Sequence, residues 1–190
     1  MKTPITLIVS FLTLLLATAF GGQGENLLKN VDFQADADGV IANWQVPTYP
    51  FKDDPSIVEQ LKWGVENVNG SKCLAISTKD PVKTQVWWEQ IIKGNGGNTY
   101  EISVKVKGVL HEGSKYGGAK VGVHFLDADG QFLSYQALPD AEALSDTWQI
   151  VKGKVTAPDD AVKMGLRIGV LFDGGVEVFF KEPSLTETAN

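Results

Sequence analysis

Apolar and polar residues alternate with a period of two through most of the chain, most clearly in Tyr100-Glu101-Ile102-Ser103-Val104-Lys105-Val106. Successive side chains of a strand point to opposite faces, so this run predicts a strand with one face in a core and the other in water. Val121, Val123 and Phe125 alternate in the same way with Gly122, His124 and Leu126, and Leu166, Ile168 and Val170 with Gly165, Arg167 and Gly169. Further strands are predicted at 27–33, 41–46, 61–68, 73–77, 84–92, 148–155 and 175–185, punctuated by Gly, Pro, Asn and Asp. Helical spacing is confined to 54–60, with a second short turn at 140–145. About ten short strands define an all-β chain folded as a two-sheet antiparallel sandwich.

The tetrapeptide Asp36-Ala37-Asp38-Gly39 recurs as Asp127-Ala128-Asp129-Gly130. Alternating aspartates open a calcium loop, but neither copy continues with the third oxygen ligand and the distant glutamate that such a loop needs. Both are expected to be tight turns with glycine at positive φ.

The amino-terminal segment changes the expected compartment. Lys2 precedes an apolar run at 5–16, too short for a comfortable bilayer span, and Ala17-Thr18-Ala19 supplies the small residues of a cleavage site. Residues 1–22 are therefore expected to be a signal peptide, cut after Ala19 or at Gly21 or Gly22, and 23–190 one domain. The product is expected to be secreted, extracellular or periplasmic, with no membrane span, and a monomer. A mature chain of about 170 residues can bury roughly 70% of its unfolded surface, enough for one core. The single cysteine, Cys73, has no intrachain disulfide partner and reads as a small packed residue. Seventeen basic residues against 23 acidic ones give a formal charge of −6, which argues against nucleic acid or an anionic membrane as partner.

Several stretches, in order, resemble the carbohydrate-binding modules with a galactose-binding-domain-like fold, the group containing families 4, 9, 16 and 22. They are Asn26-Leu27-Leu28-Lys29-Asn30-Val31-Asp32-Phe33 with Asn43-Trp44, Gln90-Ile91-Ile92-Lys93-Gly94 running into 99–108, Thr147-Trp148-Gln149 with Thr156-Ala157-Pro158, and Val178-Phe179-Phe180-Lys181-Glu182-Pro183. The resemblance implies a jelly-roll sandwich that binds carbohydrate without catalysis, of the kind that can act as an accessory module to glycoside hydrolases. Many such modules hold a structural calcium through an acidic residue after the opening Phe and an Asp after the closing aromatic. Here those positions carry Gln34 and Lys181, so no cofactor and no metal are expected, with Asp32 and Glu182 left as the material for a displaced site.

A sugar offers an apolar C–H face and a rim of hydroxyls, so its site needs a flat aromatic surface with polar groups around it. Trp44, Trp63 and Trp148 are expected in the core or at its edge. Trp87 and Trp88 are adjacent on a strand and must face opposite ways. The resemblance turns Gln90 inward, which takes Trp88 with it and leaves Trp87, Glu89 and Ile91 facing out. Trp87 is then an exposed aromatic platform or, alternatively, a tryptophan under a loop. With it, Glu89, His124, Arg167, Lys105 and Tyr135 are the expected ligand-binding residues, and Tyr116 a further wall. Two carboxylates across a cleft, as a glycosidase needs, cannot be placed, since Asp53-Asp54 and Asp159-Asp160 sit in turns. His111 and His124 are the only histidines, which argues against a zinc or triad site. The rival readings are a structural or protein-interaction sandwich of the cell envelope, and a small glycanase or lyase.

Overall fold

A computed structural model describes residues 24–48, 51–78, 80–139 and 143–188. After a short helix α1 (Ser56–Gln60), nine strands follow: β1 (Leu61–Val68), β2 (Ser71–Thr78), β3 (Val82–Lys93), β4 (Thr99–Leu110), β5 (Tyr116–Leu126), β6 (Phe132–Ala137), β7 (Gln149–Thr156), β8 (Lys163–Gly174) and β9 (Val176–Glu187). They form two antiparallel sheets, one in the order β1-β2-β9-β4-β7 and the other in the order β3-β8-β5-β6. The inward residues of both sheets meet in one cluster. All nine core residues expected from β4, β5 and β8 (Tyr100, Ile102, Val104, Val121, Val123, Phe125, Leu166, Ile168 and Val170) are 0–2% exposed.

The turns follow from local chemistry. Asn69 (φ 51) and Gly70 (φ 81) both adopt the left-handed conformation that a two-residue hairpin requires, and join β1 to β2. The repeated tetrapeptide makes the same turn twice. Asp36 Oδ1 accepts from the Asp38 and Val40 amides, Asp127 Oδ1 accepts from those of Asp129 and Gln131, and Gly39 and Gly130 have φ of 80 and 79.

Two expected strands do not form. Around 27–33 and over 41–46 the chain makes only isolated bridges, Asn26 with Thr186, Ala35 with Ile41 and Gln45 with Glu89. Asn30, Phe33 and Asn43 take positive φ values of 50, 54 and 69, which interrupt an extended run. The loop is held instead by Asn30, whose side chain bonds the Gln34 and Ala42 backbones, and by the buried Phe33 ring set edge-on to Trp44. Gln90 completes the anchorage. It faces inward as expected, accepting from the Lys29 amide at 2.6 Å and donating to the Lys29 carbonyl at 2.9 Å. Its side chain thus stands in for a neighbouring strand.

Trp44 and Trp88 lie in the main core, and Trp63 packs against it. Trp148 does not. It joins a separate cluster with Cys73, Ala75 and Phe179 on the outer side of the five-stranded sheet. The turn expected at 140–145 falls partly outside the described residues, and within them Ala143 bridges to Gly118.

Candidate functional site

The outer face of the four-stranded sheet is fixed by the inward course of Val86, Trp88 and Gln90. Trp87, Glu89 and Ile91 must then point away from the core, and the pairing register sets their neighbours. One row across the sheet reads Trp87, Gly169, Lys120, the next Glu89, Arg167, Gly122, Ala137, and the third Ile91, Gly165, His124, Tyr135. Five of the six residues expected at the site therefore share one surface.

Glycine shapes this surface by leaving room for its neighbours. A Cβ on Gly165 would overlap the His124 imidazole, and one on Gly122 would overlap the Tyr135 hydroxyl, so both side chains lie down across the sheet. At the centre Glu89 is 4% exposed. Its Oε1 accepts from Arg167 Nε at 2.7 Å, and its Oε2 accepts from Gln45 Nε2 at 3.3 Å. The guanidinium carbon of Arg167 stands 4.8 Å from the centroid of the Trp87 ring. Trp87, Arg167, Glu89 and Gln45 thus support one another in series.

His124 closes the cluster from β5. Its Nδ1 lies 3.6 Å from Glu89 Oε1, is buried, and makes no hydrogen bond. Burial, followed by the nearby Arg167 charge, lowers its pKa below the ordinary 6.5, against the opposing pull of Glu89 and a bond to the Gly165 backbone. At neutral pH the imidazole is uncharged.

The structure corrects two expectations. Trp87 does leave the core face, but it is only 9% exposed, because the Arg167 side chain covers it. Lys105 is not at this site. It lies on β4 in the other sheet, whose outer face points the opposite way, and there it binds Glu182 at 2.5 Å. Tyr116 is on the right face but at the far end of β5, six residues from Gly122 and so about 20 Å along the strand.

The open aromatic surface belongs to β6. Tyr135 is 41% and Phe132 64% exposed, and a register shift opposite Phe125 and Leu126 turns both to the outer side. Phe132 went unnoticed in the sequence because its spacing of three from Tyr135 breaks the alternation. At the other edge Gln45 bridges β3, and a hollow of about 520 Å³ lies between residues 40–45 and the strand, lined by Val40, Trp44, Gln45, Glu89 and Ile91.

No protein-family model and no curated protein matches the chain. Solved structures do, at the level of fold. Over 88% of its length the chain superposes on the xylan-binding CBM22-1 domain of Paenibacillus barcinonensis Xyn10C, with a TM-score of 0.53, 17% identity and 97% of that domain covered. It matches TmCBM61, solved with β-1,4-galactotriose, with a TM-score of 0.54 and 14% identity, over 86% of this chain and 99% of that one. It also matches the CBM22-1 and GH10 modules of Clostridium thermocellum Xyn10B, solved with xylohexaose, with a TM-score of 0.58 and 18% identity. There it covers 88% of its own length but spans only 29% of that chain. The likeness to these modules is one of fold, a two-sheet antiparallel β-sandwich.

Proposed function

We propose that this chain is an exported, non-catalytic carbohydrate-binding module that holds a glycan on the outer face of its four-stranded sheet. The observation that carries the reading is the exposed aromatic pair Tyr135 and Phe132, set beside the partly open Arg167 guanidinium. A ring face takes the C–H side of a sugar, and a guanidinium donates charge-assisted hydrogen bonds to its hydroxyls. Ile91 and the hollow along residues 40–45 extend the surface beyond β3, and Trp87 acts from below by fixing Arg167. The three rows hold one carboxylate, Glu89, already bonded to Arg167, so the acid and base pair of a glycosidase is not assembled there. Because the structural neighbours were solved with xylohexaose and β-1,4-galactotriose, β-1,4-linked xylans and galactans are the first ligands to test.

The test is a glycan array on the purified protein, followed by titration calorimetry on the hits. Binding to one glycan class, weakened in Tyr135→Ala, is the expected result. A wild-type protein that binds no glycan on the array defeats the reading and favours the envelope-structural alternative.

A further inference from the structure

On the opposite side of the molecule, the loop after Val31 meets the start of β2 and the middle of β9. Pairing of β9 with β4 shifts register between Ser103 and Lys105, and Glu182 takes a φ of 52, so the strand bulges there. A bulge re-aims consecutive side chains, and Lys181 and Glu182 here form an ion pair with each other. A hollow of about 380 Å³ opens between them and the loop, lined also by Asp32, Gln34 and Lys72. The resemblance seen in the sequence implies a structural calcium at this place in many such modules, so the donor set decides whether such an ion fits.

It does not fit. A hard divalent cation needs six to eight oxygen ligands, most of them charged or carbonyl. Asp32 Oδ2 accepts from Gln34 Nε2 at 2.7 Å, and Gln34 Oε1 accepts from Lys72 Nζ at 2.6 Å. Glu182 Oε2 accepts from Lys105 Nζ at 2.5 Å, and its Oε1 lies 3.6 Å from Lys181 Nζ. The Lys181 ammonium also stands 4.4 Å from the Trp148 ring centroid, a cation–π contact that fixes its position. The Lys105 hydrogen bond, with further help from the Lys181 charge, holds the Glu182 carboxyl below the ordinary carboxylate value. Each of these oxygens is engaged by the chain's own donors, and three lysines face two carboxylates.

We infer that the chain has replaced a structural cation by an ammonium clasp, in which Lys72 fastens the amino-terminal loop to the five-stranded sheet and Lys181 and Lys105 take up the Glu182 carboxylate beside it, without metal. Lys72 reaches the loop directly through Gln34, while Lys105 and Lys181 neutralise Glu182 at the bulge. The inference is independent of the glycan reading.

Thermal unfolding of the purified full chain tests it. With EDTA or with millimolar calcium, the melting temperature is expected to stay within a degree of the untreated value. Lys181→Met is expected to lower it by several degrees in dilute buffer and by less in 0.5 M salt, since salt screens charge pairs at the surface, whereas Lys72→Met, which loses a hydrogen bond to the neutral Gln34 amide, is expected to lower it at both salt concentrations. The double variant Gln34→Glu with Lys181→Asp is expected to gain a calcium-dependent rise in melting temperature. A fall with EDTA, or a rise with calcium, in the wild-type protein overturns the inference. So does a pair of lysine variants that melt like the wild type at both salt concentrations. If the double variant does not fold in either condition, the wild-type and single-lysine measurements still decide.

Discussion

Trp87 and Tyr135 share a surface but have different work. Tyr135 is open to solvent, so Tyr135→Ala should weaken glycan binding by about 1 to 3 kcal/mol, the loss expected for a central aromatic contact, while the melting temperature barely moves. Trp87 is buried beneath Arg167, so Trp87→Ala should cost about 3 to 5 kcal/mol of stability through the cavity it leaves. Calorimetric titration and thermal melts on both variants separate the roles, and an intact, binding-deficient Trp87→Ala would reverse them. His124 gives a pH signature. Its folded-state pKa lies below 6.5, so the unfolded chain takes up the proton first, and stability falls as pH drops from 6.5 through the lowered value. His124→Gln should flatten the melting curve over that window, and an unchanged slope would show that the imidazole is not buried neutral. The split of Trp87 from Trp88 was legible in the sequence, because adjacent strand residues cannot face the same way. Which of the two sugar-sized surfaces stays open was not, since the cover on Trp87 comes from Arg167 on a different strand.

Among the elements, the anchorage of 26–46 depends on Gln90 more than on strand pairing. Gln90→Leu keeps the size of the side chain but leaves the Lys29 amide and carbonyl without these partners, at a cost of about 0.5 to 1.5 kcal/mol for each hydrogen bond lost. Hydrogen exchange should then speed up at Lys29 and at Gln45 ahead of the core strands, and uniform protection would show that the segment holds by other contacts. Alternation revealed β4, β5 and β8 almost residue for residue, because each has one dry and one wet face. It failed at 27–33 and 41–46, where Asn30, Phe33 and Asn43 carry left-handed backbones, a conformation that asparagine favours but that the period-two pattern does not register. Lys105 was misplaced for a related reason. Alternation tells which side of a strand a residue takes, but not which sheet the strand joins, and β4 pairs with β9 and β7 far along the chain.

For the whole molecule, the two outer faces divide the tasks: the four-stranded one gathers Tyr135, Phe132, Arg167 and Ile91, and the five-stranded one carries the lysine clasp. The central claim concerns the first face, and an NMR titration of the protein with the best glycan from the array tests it most directly. The account predicts that backbone and side-chain shifts change at Tyr135, Phe132, Arg167, Ile91 and Gln45, with the five-stranded sheet silent. Changes confined to the loops at one end of the sandwich, or to the face bearing Lys105 and Lys181, would contradict it.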